Sequence, residues 1–481
     1  MGVQGLSGFL EEQGGFLAEL RVSDTRLVID GSGLYHCLCL AAGTDLRRGG
    51  DYGLLAAAVR DFFAALRRCR VAAFVVLDGG RGAGDPKLLV LRERAAERLR
   101  AAGALSRGGP GALVPLLARD TFVQALSRFG VPFVQSYAEA DRDGFFRTPA
   151  LAALLGHLGA RRREEVAERL RAAMEAYEPS DADLDGFFRG GTYEAGAAGW
   201  PRWVRDALAR GRLPPFVSDA LLLRSVFLRV QVEDLARPSA HGAALPLRRA
   251  LYGLLLGPPQ PGEEPPTVCE FDRLRGTLRK TRVEAATLPP GCQYPLEALA
   301  EVPLSSRRQL LLEPLGVQMS SLESTPSHLQ LPLAVTCHWV RASEPRVELH
   351  QLQALLLTLV SGEEQRRTRE PDPPVPGAEE GEDVACDGFL SWKEKAPEGE
   401  AFDLAVAHGL CQWQSCLQMG LYLNQLLSAP LPEPDLSSLF SGTLAHRLCQ
   451  ELKSAPSLDN LCGFSPAMTQ LYQALLNTVE S

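Results

Sequence analysis

Lysine is nearly missing from this chain: Lys87, Lys280, Lys393, Lys395 and Lys453 are all there are among 50 basic residues, the rest being arginine. With so much alanine and glycine, this reads as coding bias and carries no functional weight. Paired metal motifs are missing too. The 11 cysteines include no Cys-x-x-Cys; Cys37 and Cys39 are two apart and Cys411 and Cys416 five apart, and neither spacing suits zinc. An odd count in a long chain reads as reduced thiols, mostly in the core. The eight histidines are scattered without a ligand pair, and His36 reads as packing or a surface contact. There is no phosphate-cradling glycine loop and no Ser-His-Asp order. No apolar run reaches the roughly 20 residues of a membrane span. Met1 to Leu6 lacks the charged and apolar regions of a secretory leader, and Leu6 stands where a myristoylation pattern wants Ser or Thr. These absences predict a protein without a membrane partner, nuclear or cytoplasmic. A net charge of −8 excludes a globally basic nucleic-acid coat but not a local basic groove.

What is present is a chain of 481 residues, 46% hydrophobic, long enough for two or three domains. Three short apolar runs in its first part end in acids. Leu27-Val28-Ile29 ends in Asp30-Gly31. Phe74-Val75-Val76-Leu77 ends in Asp78-Gly79-Gly80. Val131-Pro132-Phe133-Val134 leads to Glu139-Ala140-Asp141. Helical patterns lie between and around them, over 7–20, 52–70, 87–104 and 121–129. Such alternation predicts a parallel, doubly wound α/β sheet over residues 1–143. Parallel strands bring their C-terminal ends to one edge, where ligands bind. Four carboxylates there repel unless a divalent cation sits between them, which points to Mg²⁺ or Mn²⁺ and to phosphate chemistry. Singly, an apolar strand ending in Asp-Gly is more often just a turn; the combination carries the argument. Glu139 and Asp141 share a side on an extended segment and diverge if they open a helix.

From Arg81 to Arg107 there are seven basic and three acidic residues. Lys87, Arg94 and Arg98 fall on one helix face, suited to a phosphate backbone; a solvated Arg/Glu helix is the plainer alternative. Asp181, Asp183 and Asp185 follow a helix and read as caps. Residues 144–361 read as a helical region, including 160–178, 200–211, 219–231 and 245–256. Residues 362–400, acidic and rich in Pro and Gly, read as a disordered linker. Residues 401–481 read as a C-terminal helical region opened by a strong amphipathic helix over 402–427, with Trp413, Met419 and Tyr422 in the core.

Met1-Gly-Val-Gln-Gly-Leu6, Val28-Ile-Asp-Gly31, Val76-Leu-Asp-Gly79 and Gly130-Val-Pro-Phe133 with Glu139-Ala-Asp141 resemble the N-terminal half of the flap-endonuclease/XPG superfamily. The match to its asteroid branch is closer, extending to Gln412-Trp-Gln-Ser-Cys-Leu-Gln-Met-Gly420 and Pro432-Glu-Pro-Asp435. The resemblance implies a PIN-like domain and a structure-specific endonuclease acting on DNA with single-stranded character. It implies two Mg²⁺ ions and a role in DNA double-strand-break end repair beside a repair partner in the nucleus. Asp30, Asp78, Glu139 and Asp141 match the first metal-binding cluster. Gly2 matches a position near the scissile phosphate, and Lys87 and Arg94 match a basic pair that steadies it.

One departure matters. The superfamily follows its Glu-x-Asp with a strand ending in Asp-x-Asp, and nothing between 144 and 260 reads as one. A block on the order of 100 residues, a typical domain's worth, is missing, and with it the ligands of the second metal. Two-metal hydrolysis needs both ions, so an inactive chain is one expectation. The other reading is a non-catalytic interaction or scaffold protein, in line with the link between this branch and EGF-receptor signalling.

Overall fold

A computed structural model describes residues 22–43, 45–80, 87–136, 199–259, 262–289, 293–369, 402–454 and 466–480. The expected helices over 7–20 and 160–178 lie outside these residues. In chain order the elements begin with β1 (Arg26–Asp30), α1 (Gly31–Ala41), α2 (Tyr52–Arg68), β2 (Ala72–Leu77), α3 (Lys87–Ser106), α4 (Ala118–Arg128) and β3 (Phe133–Gln135). There follow α5 (Arg202–Ala209), α6 (Pro215–Leu222), β4 (Ser225–Phe227), α7 (Leu245–Leu256), β5 (Thr267–Leu274) and β6 (Thr277–Glu284). The remainder is helical: α8 (Leu304–Leu315), α9 (Gln330–Ala342), α10 (Leu349–Arg369), α11 (Leu404–Leu426), α12 (Gly442–Ser454) and α13 (Pro466–Glu480), with a single turn at Leu436–Leu439.

The chain divides into two compact units. One comprises Met1–Leu34, Phe62–Val90 and Val131–Leu223; the other comprises Tyr35–Asp61, Leu91–Gly130 and Arg224–Ser481.

The first unit holds the parallel sheet, in the order β1-β2-β3. Asp30 pairs with Val76, and Val76 with Val134. Val75 and Leu77 are fully buried, as strands of a parallel sheet require. Gly31 opens α1 against this layer. A Cβ there would meet Val75 Cγ1 at 2.6 Å and Leu77 Cδ2 at 2.7 Å, so the strand-to-helix turn needs glycine. Val204, Leu208, Leu213, Val217 and Ala220 bury the apolar side of α5 and α6. The buried Gln135 amide donates to Leu213 O at 3.2 Å.

The second unit is built around α11, whose residues from Val406 to Asn424 are all buried. This corrects the amphipathic reading. Five of the polar or hydrogen-bonding positions on this helix find partners inside. Gln412 donates to Glu344 O at 2.8 Å, Trp413 Nε1 to Thr336 Oγ1 at 3.0 Å, and Gln418 to Leu116 O at 3.2 Å. Ser415 Oγ accepts from Gln231 at 2.8 Å. Asn424 makes two bonds with the Leu431 backbone, at 2.9 and 3.1 Å. Burial of hydrogen-bonded side chains costs little, whereas an unmet one costs kilocalories. Trp413, Met419 and Tyr422 lie in the core as the sequence suggests.

A second correction concerns residues 219–231 and the wholly helical reading of 144–361. The helix ends at Leu222, and β4 follows, parallel to β5; β5 and β6 form an antiparallel hairpin that turns through Arg275 and Gly276, both at positive φ. Val226, Val268 and Val283 face the core. Two ion pairs are buried nearby. Arg248 grips Glu270 at 2.6 and 3.0 Å, and Tyr252 donates to the same carboxylate at 2.8 Å. Arg273 grips Glu233 through two bonds of 2.7 Å. Burial pushes the Glu233 carboxyl up, but the Arg273 bonds outweigh it and hold the group at about 2.

The eight described cysteines are free thiols, five of them buried. Burial pushes the Cys416 thiol up to about 12. Among the described residues no helix is long and apolar enough to cross a membrane.

Candidate functional site

The C-terminal edge of the β1-β2-β3 sheet places two of the expected acids on neighbouring strands. Asp30 is the last residue of β1. Its Oδ1 accepts the N–H groups of Ser32 at 2.9 Å and Gly33 at 3.1 Å, capping the first turn of α1. A Cβ on Gly33 would stand 3.0 Å from Asp30 Oδ2, so glycine keeps that second oxygen uncrowded. Asp78 lies two residues beyond Val76, the register partner of Asp30. Its N–H donates to Ser32 Oγ at 3.3 Å, tying the end of β2 to the start of α1.

A third acid reaches this edge from an unexpected element. Gly79 and Gly80 are buried. A Cβ at Gly80 would fall 1.9 Å from Ser218 Oγ and 3.2 Å from Asp219 Oδ1. Asp219, on α6, is only 9% exposed. The sequence signal was an acid set between two inward positions, Val217 and Ala220. It passes unnoticed if 219 is read as the start of a helix rather than its interior.

Glu139, Asp141 and Gly2 lie outside the described residues. Among the described ones, no three His, Cys, Asp or Glu side chains converge to hold a metal ion. The structure brings Asp30 and Asp78 to one edge; the expected cluster as a whole turns on Glu139 and Asp141, outside the described residues. Carboxylate oxygens are the donors that Mg²⁺ and Mn²⁺ take, and Mg²⁺ keeps several waters when few protein ligands are offered. The donor chemistry at this edge thus fits a hard cation and not a soft one.

Lys87, Arg94 and Arg98 share α3. The side chain of Lys87 is outside the described ones. Arg94 and Arg98 are exposed and belong to the second unit. Arg98 lines a cavity of about 250 Å³ together with His36, Leu40, Leu113, Arg229 and Val230. Burial first, then the charges of Arg229, Arg98 and Arg94, push the His36 imidazole down to about 4. His36 is more than a packing residue here: it shares a pocket with two guanidinium groups.

A mixed α/β chain with aspartates on adjacent parallel strand ends defines the class: an α/β protein with an acidic sheet edge. Comparison with known proteins sharpens this. The mouse (Mus musculus) protein named single-strand DNA endonuclease ASTE1 is 36% identical over 620 residues, spanning 100% of this chain and 91% of that one. Its human (Homo sapiens) counterpart is 34% identical over 628 residues, spanning 100% and 90%. The Drosophila melanogaster protein asteroid is 31% identical over 143 residues, 29% of this chain and 16% of that one. A family model described as the asteroid N-terminal domain matches residues 382–481. No solved structure matches. The chain belongs to the asteroid family. Its 481 residues spread over 620 aligned positions of the mouse protein, so 139 of those positions have no counterpart here.

Proposed function

We propose that this chain is a metal-dependent endonuclease of the flap-endonuclease-like, PIN-like type acting on single-stranded or overhanging DNA. The observation that carries the reading is the pair Asp30 and Asp78 on adjacent strand ends, in a family whose mouse and human members are named single-strand DNA endonucleases. Asp30, Asp78, Glu139 and Asp141 are the proposed ligands of Mg²⁺ or Mn²⁺. A bound cation of this kind lowers the pKa of a water and neutralises charge on a phosphate. The two amides on Asp30 Oδ1 fix its carboxylate before any ligand arrives, so Oδ2 is the oxygen presented outward. The bond from Asp78 N–H to Ser32 Oγ holds the two strand ends at one spacing. Lys87, Arg94 and Arg98 are proposed to hold phosphate, and Gly2 to approach the scissile one. A nuclear place in double-strand-break end repair, with a repair protein as partner, belongs to the same proposal.

The 139 positions without counterpart favour a second reading, a chain that binds DNA or a partner without cutting. One experiment decides. The purified full chain is offered labelled single-stranded, overhang and flap DNA in Mg²⁺ or Mn²⁺, with EDTA and Asp78→Ala controls. Cutting that both controls abolish supports the nuclease. A folded chain that never cuts supports the second reading.

A further inference from the structure

The β4-β5-β6 sheet of the second unit has one face on the core and one that is not. Register places Phe227 beside Phe271 and Phe271 beside Lys280, with Cys269 beside Arg282 on the same side. The two phenyl rings stack with centroids 4.3 Å apart and planes 4° from parallel. Both are half-buried, while Lys280 and Arg282 are exposed. Lys280 Nζ lies 5.8 Å from the Phe271 ring centroid, and the guanidinium of Arg92, on α3, lies 5.9 Å from it. A face-to-face aromatic pair, half-exposed and flanked by two cations on its Phe271 side, is a poor solvent-facing surface for a protein that has no use for it.

The same two elements lead to the cavity described above. Leu228 N–H donates to Phe271 O at 3.0 Å, so the backbone stays extended past β4. Arg229 therefore shares the face of Phe227, about 7 Å further on. Along α3, Arg98 stands about 9 Å beyond Arg92. The steps run side by side, from stacked rings to a pair of guanidiniums at a pocket. The pocket lining also includes the aliphatic side chains of Leu40, Leu113 and Val230. Arg229 also donates to Tyr35 Oη at 3.3 Å, which fixes its head. Tyr35 first, and Tyr422 and Asp120 after it, push the Arg229 pKa up against its burial. Even so, Arg94, Arg98 and Arg229 leave the region net positive.

We infer that this face is a track for single-stranded nucleic acid, with a base stacking on Phe227–Phe271 and a neighbouring phosphate held by Arg98 and Arg229. Stacking on aromatics with cations along the backbone is how strands are held without sequence choice. The cavity is too small for a helix and the right order of size for one nucleotide. The inference rests on the proposed function for the polymer and for Arg98 as a phosphate holder, and it involves none of the acids at the β1-β2-β3 edge.

The test is fluorescence anisotropy of a 12-nucleotide oligo-dT on the full chain in EDTA, across a salt series, so that cutting plays no part. The double variant Lys280→Glu/Arg282→Glu, both exposed, is expected to weaken binding at least tenfold. Phe271→Leu is expected to weaken it about tenfold with the salt dependence unchanged. Arg98→Met is expected to reduce the salt slope by about one. Ala112→Trp, an exposed position on the cavity rim, blocks the pocket by bulk alone. Thermal melts confirm folding of each. Native-like binding by folded Lys280→Glu/Arg282→Glu and Arg98→Met overturns the track. So does competition by poly-glutamate as strong as by oligo-dT at equal charge, which would mark an acidic-peptide surface instead. Asp78→Ala is expected to bind normally. If it loses cutting while the track variants bind normally, the track alone falls.

Discussion

Tyr52 and Gln414, 362 positions apart, meet in the core of the second unit through a 2.5 Å hydrogen bond from the phenol to the amide oxygen. Tyr52 Oη also accepts the Leu117 N–H at 3.1 Å. One hydroxyl thus joins α2, the segment before α4, and α11. Removing it leaves a buried N–H and a buried amide oxygen without their partner. Tyr52→Phe is expected to destabilise the chain by about 1–3 kcal/mol, read as a lower midpoint in urea. An unchanged midpoint would show that water replaces the hydroxyl.

Asp30 carries two duties that substitution can separate. Asparagine caps a helix about as well as aspartate, whereas alanine costs about 1 kcal/mol. Asp30→Asn is therefore expected to melt like the native chain yet lose metal-dependent cleavage. Asp30→Ala is expected to lose both. Full cleavage by a folded Asp30→Asn would remove this residue from the proposed ligand set.

Gly31 and Gly80 are the tightest points of the sheet edge. An added Cβ meets Val75 and Leu77 at the first and Ser218 at the second. Overpacking of this kind costs about 1–3 kcal/mol. Gly31→Ala and Gly80→Ala are each expected to lower the thermal midpoint. Gly80→Ala is expected to do more harm to activity, because it displaces the residues that flank Asp78 and Asp219.

His446 sets a pH dependence. Burial first, and then the charge of Arg48, push its imidazole down to about 3, against the opposing pull of Asp403 and Asp45. The unfolded chain takes up a proton near pH 6.5 that the folded chain refuses. Stability is then full above about 6.5 and falls as pH drops toward 3, by up to about 1.4 kcal/mol per unit. His446→Leu is expected to flatten this limb between pH 6 and 4 in denaturant melts. A limb as steep as the native one would assign the loss to other groups, such as His36.

The sequence made the first sheet legible because its strands are apolar runs with acidic ends. It concealed the second because β6, Thr-Leu-Arg-Lys-Thr-Arg-Val-Glu, carries charge on both of its faces and the turn is Arg275-Gly276 rather than Asn-Gly. The central helix misled for a related reason. Gln412, Gln418 and Asn424, spread around the helix, look like side chains that need solvent until their carbonyl partners are seen. Of the site, Asp30 and Asp78 were readable from local pattern alone. Asp219 and Arg229 were not, since only tertiary packing brings them to an edge and a pocket.

The helix at the centre of the second unit is nearly the last long one to be made. More than 400 residues leave the ribosome before α11 is complete, and the segments Tyr35–Asp61 and Leu91–Gly130 belong to the unit it fills. Domains generally fold as units while synthesis proceeds, but this one cannot close until its core arrives. Its early segments therefore wait, with the Tyr52 hydroxyl and the Leu117 amide unmatched, through most of translation. A premature stop anywhere before residue 404 would yield a shell with nothing to fold around, and such a product belongs to chaperones and proteases rather than to DNA.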